Sequence, residues 1–226
     1  MRKTLGLAAL GALLAAGLSL VGGTATAGPS PASVIVGHAY VNDNAAGSNT
    51  VAAFDRHADR SLTPIPGSPI AIGGAGLGGG LGSQGAIQLS PNRRFLLAVD
   101  AGSNQISVLR LTPRGIPEPV GEPVSSGGVR PVSIAVNRFG LVYVANVGNG
   151  GSNYTGFFLT PAGRLIPLPG TTIPVPEGSG VGDVLFNSTG DRLVAPVTIR
   201  PRSTASQSNR TADSSLPPAP RSLDRG

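Results

Sequence analysis

Apolar residues in this chain fall in short, β-branched runs separated by polar turns, and the arrangement recurs. One segment runs Ala86-Ile-Gln-Leu-Ser-Pro-Asn-Arg-Arg-Phe-Leu-Leu-Ala-Val-Asp100, then Ala101-Gly-Ser-Asn104, then Gln105-Ile-Ser-Val-Leu-Arg-Leu111. A second runs Ser133-Ile-Ala-Val-Asn-Arg-Phe-Gly-Leu-Val-Tyr-Val-Ala-Asn146, then a glycine loop to Gly151-Ser-Asn153, then Tyr154-Thr-Gly-Phe-Phe-Leu159. Both show an apolar strand, a polar turn, a second strand ending in Asp or Asn, a Gly-Ser-Asn turn and a third strand. Shortened versions flank them: Val36 to Asn42 with Gly47-Ser-Asn49 and Thr50 to Phe54 upstream, and Asp183 to Val194 downstream. Leu89, Val136 and Phe186 hold equivalent places, 47 and 50 residues apart.

Each repeat then enters a proline-rich segment: Thr63 to Ile72, Ile116 to Val124, and Ile166 to Pro176. Proline cannot donate to a β-ladder, so these segments belong at sheet edges. The unit is therefore a four-stranded antiparallel meander with apolar inner strands and a proline-marked outer strand. The period matches β-propeller blades. After the first 27 residues no stretch has helical spacing of apolar positions. The predicted fold is all-β: a β-propeller of about three and a half blades, with an incomplete ring.

The phrases Ser90-Pro-Asn-Arg-Arg-Phe-Leu-Leu-Ala-Val-Asp and Val136-Asn-Arg-Phe-Gly-Leu-Val-Tyr-Val-Ala-Asn resemble the repeat of the lactonase-type seven-bladed propellers. That family is also called 6-phosphogluconolactonase-like, and it overlaps with the YVTN-repeat propellers. The resemblance covers roughly Val34 to Val194. It implies a ring of blades and, in some members, opening of a sugar lactone. No catalytic motif is matched residue by residue, so no catalytic role carries over, and a repeat identifies fold better than chemistry.

Charge changes the picture less than the pI of 11.0 suggests. Arg2 and Lys3 sit at the start, and residues 200–226 hold five arginines against two aspartates. Between Gly28 and Ile199 ten arginines face nine carboxylates. A nearly neutral body without a basic cluster argues against nucleic acid as a partner. The absence of cysteine excludes a disulfide framework, a thiolate metal site, a cysteine nucleophile and a lipid-modified cysteine.

The basic pair, the apolar run Leu5 to Val21 and Ala25-Thr26-Ala27 have the order of a cleaved signal peptide. With four glycines or serines in 17 residues, that run is short for a membrane span. The expected organisation is a signal peptide at 1–27, propeller blades at 28–199 and a disordered Arg/Ser/Pro-rich tail at 200–226. The expected location is extracellular, with no membrane attachment once the signal is removed.

The blade pattern breaks near Val194, and from Pro201 the chain has no apolar period. The composition of this tail, in a sequence with one lysine, fits a GC-rich gene read out of frame. That predicts a propeller interrupted by a frame change, whose open blade edges favour self-association. A natural disordered tail on a short repeat protein is the alternative.

Candidate chemistry is sparse. Gly74-Ala-Gly-Leu-Gly-Gly79 satisfies G-x-G-x-x-G, but a strand follows where a dinucleotide site needs a helix, so it reads as an interblade loop. No metal-binding or nucleophile motif is found, and no cofactor is expected. Asn42, Asp100 and Asn146 are equivalent across three repeats. In a propeller they would converge on one face, or each would start its own turn through side-chain bonds. His38, in an inner strand, and Gln84, at a blade entrance, complete the candidate ligand-facing set, while His57 reads as part of a solvated turn. Three functional readings stay open: a small-molecule or glycan-binding scaffold, a lactone hydrolase with Asp100 or His38 as base, and a structural or protein-interaction propeller.

Export has a direct check. N-terminal sequencing of secreted protein should begin at Gly28 or within a few residues of it, whereas retention of Met1 in a cytoplasmic fraction would contradict it.

Overall fold

The computed structural model describes Ser30 and residues 33–83, 85–176 and 179–198. The predicted signal segment, the tail and Gln84 lie outside the described residues. Among the described residues there is no α-helix, and the strands form successive antiparallel meanders.

Blade 1 contains β1 (Ile35–Asn42), β2 (Thr50–His57), β3 (Leu62–Pro64) and β4 (Ile70–Ala71), with β3 and β4 both pairing β2. Blade 2 contains β5 (Ile87–Leu89), β6 (Phe95–Asp100), β7 (Gln105–Leu111), β8 (Pro117–Pro119) and β9 (Val124–Ser125). Blade 3 repeats this with β10 (Pro131–Val136), β11 (Leu141–Asn146), β12 (Asn153–Leu159), β13 (Leu165–Pro167) and β14 (Ile173–Pro174). In each blade the outer row is split into two short pieces on one long neighbour. The prolines cause the split, since a residue without an N–H cannot hold a continuous ladder.

Blades 2 and 3 thus have the expected four rows. Blade 1 has three, because β1 matches the second strand of the others: it ends at Asn42, as β6 ends at Asp100 and β11 at Asn146. No strand pairs the other edge of β1 among the described residues, and Ile35, Val36 and Val41 there are exposed.

The fourth unit is a hairpin in which β15 (Gly180–Val181) pairs β18 (Val197–Thr198) and β16 (Leu185–Phe186) pairs β17 (Leu193–Val194). Its second strand is broken at Ala195-Pro196 into β17 and β18, and it ends at Thr198 without the Asn or Asp that ends β1, β6 and β11. Pro196 is accommodated at the gap between the two pairs, where its carbonyl accepts a bond from the Tyr154 hydroxyl at 3.2 Å.

In blades 2 and 3 and in the fourth unit, the first hairpin turn is closed by one side-chain oxygen. Ser90 Oγ accepts from Phe95 N–H, Asn137 Oδ1 from Phe139 and Leu141 N–H, and Asn187 Oδ1 from Asp191 and Arg192 N–H. Short polar side chains that bond backbone a few residues on are what these turns require.

The core lies between blades, and strand alternation builds it. All six residues of β6 are buried. Phe95, Leu97 and Val99 pack with Ile134, Val142, Val144 and Phe157 of blade 3, while Leu96 and Ala98 pack with Val51 and Ile72 of blade 1. Successive side chains of a strand point to opposite faces, so one strand serves two neighbours. On the far side of blade 3, Val132, Ala135, Ala145 and Tyr154 cover Val181 and Val184 of the fourth unit.

Candidate functional site

The repeated polar residue at the end of the second strand sits in the seams between blades. Asp100 is fully buried: its Oδ1 accepts from Asn49 Nδ2 of blade 1 at 2.9 Å, and its Oδ2 lies 2.6 Å from Ser107 Oγ of β7. Burial pushes its carboxyl up from the usual carboxylate range, against the opposing effect of its hydrogen bonding with Ser107 and Asn49. Asn146, also fully buried, donates from Nδ2 to Asn153 Oδ1 at 2.9 Å and to Ser126 O at 3.2 Å. Asn42 is half-buried and donates to Val99 O at 2.8 Å and Ala86 O at 3.2 Å, both in blade 2, while its Oδ1 accepts from Asn44 N–H at 3.1 Å. Asn42 and Asp100 therefore belong to the seam between blades 1 and 2, and Asn146 to the next.

The chain crossing from one blade to the next lies against these residues. Ile72 N–H bonds Asn49 O, and Ser126 N–H bonds Asn104 O, so Ile72-Gly-Gly74 and Ser126-Gly-Gly128 are equivalent crossings. A β-carbon on Gly74 would overlap the Asp100 carboxyl, and one on Gly128 would come within 2.7 Å of Asn146 Cβ. The paired glycines were available in the sequence as a signal. They escaped notice because nothing local shows that a side chain 18 or 26 residues away fills the space.

The other seam feature is a cleft of about 390 Å³ between blades 1 and 2, lined by His38, Tyr40, Arg56, Leu89, Arg93 and Gly115 among others. His38 Nδ1 lies 3.0 Å from Asp55 Oδ1, and both side chains are partly exposed. The contact follows from register: His38 and Asp55 are directly opposed in the β1–β2 pair, where side chains on one face meet. Tyr40, two residues on and on the same face, donates its hydroxyl to Gly115 O at 2.8 Å. Burial and the Asp55 carboxylate push the Tyr40 phenol up from its usual range. Gly115 has φ +74°, and a β-carbon there would overlap the His38 ring at Cδ2 and Nε2, so a glycine both makes this turn and admits the imidazole. Sequence reading identified His38 but not Asp55, Tyr40, Arg56 or Gly115. The signal for Asp55 was its mirror position in the hairpin.

The remaining candidates have structural surroundings. His57, read from sequence as part of a solvated turn, is the last residue of β2 and is buried, with Nε2 2.8 Å from Thr63 Oγ1 on the adjacent β3. The strand extends further than its polar Asp-Arg-His composition suggests. The glycine-rich loop is organised by Asn44, whose Oδ1 and main-chain oxygen accept from Leu77 and Gly78 N–H. Near the inner strands the Ser133 hydroxyl donates to Asp183, and the half-buried Asp183 also accepts from Val184 N–H at 2.8 Å. Among the described residues no three His, Cys, Asp or Glu side chains converge as a metal site would need.

No protein-family model and no curated protein matches the chain. Solved structures do. A candidate 6-phosphogluconolactonase from Bacteroides fragilis superposes with a TM-score of 0.54 at 15% identity, over 75% of this chain and 47% of that one. A second, from Bacteroides uniformis, gives 0.49 at 17% identity, over 69% and 48%. The periplasmic gluconolactonase of Pseudomonas aeruginosa gives 0.48 at 20% identity, over 66% and 43%. This chain spans about half the length of the proteins it matches. At such identities the likeness is one of fold, and that fold agrees with the lactonase-type resemblance of the strand–turn–strand phrases.

The glycine crossings make a stability prediction. Gly74→Ala should cost about 1–3 kcal/mol, as overpacking typically does. Gly79→Ala, where a β-carbon meets nothing within 4 Å, should stay within about 0.5 kcal/mol of the parent. Denaturant unfolding of the two variants provides the comparison, and equal effects would contradict it.

Proposed function

We propose that this protein is an exported lactonase-like propeller that binds a small molecule, a lactone or glycan, in the cleft between blades 1 and 2. The observation that supports this reading is the His38–Asp55 pair at the cleft, held against Gly115 and flanked by Tyr40 and Arg56. Such a cleft offers an apolar wall from Leu89, Val36 and Leu111 with a few convergent polar groups, the usual make-up of a small-ligand site. A ligand that binds only the folded state raises Tm with its concentration. Sugar lactones and oligosaccharides should therefore raise the Tm of the full mature protein, and His38→Gln should abolish the shift. Flat melting curves across the panel would instead favour a structural or protein-interaction role.

A second reading has its own observation. With Nδ1–H donated to Asp55, the basic nitrogen of His38 is Nε2, on the ring edge near Gly115. An imidazole so oriented can take a proton from water as the water oxygen attacks a lactone carbonyl. The ring C–O bond then breaks and the proton passes to the departing alkoxide, giving a hydroxy acid. A positioned base typically contributes about 10²–10⁴-fold. Hydrolysis of sugar lactones above the buffer rate should fall by roughly that factor in His38→Gln, and by less in Asp55→Asn, where the base remains but loses its orientation. Rates equal to buffer alone would exclude this reading and leave the binding reading standing.

A further inference from the structure

We propose that Asp100 is held as a neutral carboxylic acid, and that its proton locks the seam between blades 1 and 2. Donors and acceptors around Asp100 balance only when it carries a proton. Ser107 Oγ contacts two acceptors, Asp100 Oδ2 at 2.6 Å and Ile72 O at 2.8 Å, yet a hydroxyl has one proton. If Asp100 were ionised, Ser107 would donate either to the carboxylate or to the blade 1 carbonyl, and the other buried acceptor would be left without that donor, its one partner among the described residues. A protonated Asp100 removes the conflict. Its Oδ2–H donates to Ser107 Oγ, Ser107 donates to Ile72 O, and Oδ1 accepts from Asn49 Nδ2. The chain Asn49–Asp100–Ser107–Ile72 then leaves blade 1, passes through blade 2 and returns with every bond filled.

Two further observations agree. The equivalent position is a neutral amide in the other two repeats, Asn42 and Asn146, so this place in the blade does not call for charge. And among the described residues no cation contacts Asp100. Of the elements packed against it, the loop 43–49 has Asp43 as its one charged residue, and this carboxylate is taken by the Thr50 hydroxyl at 2.6 Å. The crossing 72–76 has no titratable residue, β6 has none besides Asp100, and Arg110 of β7 lies over the Phe95 ring at the other end of the strand. On β2, Asp55 is held by His38, Arg56 reaches Val36 O, and His57 faces Thr63, all at the cleft end. Burying an uncompensated carboxylate is costly, and the group protonates instead.

The linkage has a definite sign. A carboxyl whose folded pKa lies above its unfolded value stabilises the fold fully below the unfolded value. That contribution is lost as pH rises toward and through the folded pKa. The seam is therefore tightest in acid and loosens as Asp100 ionises.

The experiment is Tm against pH for the full mature protein and for Asp100→Asn, whose amide can reproduce one donor and one acceptor. Wild-type Tm, relative to the variant, should fall by roughly 3–5 °C per pH unit from about pH 4 upward until the folded pKa is passed. The exposed Asp59 and Asp191, held low by their own hydrogen bonds, are common to both proteins and cancel. If wild-type Tm rises relative to the variant over this range, Asp100 is a carboxylate and the lock is refuted. Infrared spectra of wild type with labelled aspartate decide independently if Asp100→Asn does not fold. A protonated carboxyl band that disappears at alkaline pH supports the lock, and its absence at pH 5 overturns it.

Discussion

A four-row antiparallel sheet with two apolar faces cannot bury either by itself, and everything in this molecule follows from that constraint. Leu97 and Leu96 are neighbours in sequence, yet one belongs to the core shared with blade 3 and the other to the core shared with blade 1. Burying a large apolar side chain contributes about 1.5–3 kcal/mol, and here that stabilisation arises only when a second blade is present. Strand alternation and blade stacking are two aspects of one requirement.

Apolar stacking fixes which faces meet but leaves the blades free to slide. Polar groups at the strand ends remove that freedom. Asn42 donates to Val99 O and Asn49 donates to Asp100, so the two blades are joined by directional bonds whose geometry tolerates little displacement. The crossing glycines belong to the same device, because backbone must approach Asp100 and Asn146 more closely than any β-carbon allows. A buried polar position of this kind specifies register at the expense of demanding complete hydrogen bonding. Blade 3 shows how narrow the margin is. Asn104, the counterpart of Asn49, turns its Oδ1 to Arg130 N–H at 2.7 Å, and the buried Oδ1 of Asn146 is left without a donor among the described residues.

The fold was legible because its signals are local. Short apolar runs marked β6, β7, β11 and β12, the prolines marked the split outer rows, and Ser90, Asn137 and Asn187 marked the first turns. The site was legible only in part. Asn42, Asp100 and Asn146 stood out as equivalent, but whether such residues face an axis or a seam depends on blade-to-blade contact, which no strand pattern encodes. Asp100 meets Asn49 across 51 residues of chain. His38 was identified without Asp55 for a related reason: register within a hairpin is set by turn geometry and bulges, and β1 carries an irregularity between Ile35 and Gly37.

Blades 1 and 2 share both notable features, at opposite ends of one seam. At one end His38, Asp55 and Tyr40 of blade 1 stand against Gly115 of blade 2, and at the other Asn49 and Ile72 close on Asp100 and Ser107. Between them Leu96, Ala98 and Leu109 pack on Val51 and Ile72 and transmit any change of spacing as a rigid contact. A cleft formed between two sheets keeps its shape only while the sheets keep their separation. Asn42 and the polar groups around Asp100 tie blade 1 to blade 2 far from the cleft, so the two ends of the seam are joined by hydrogen bonds that His38 never touches.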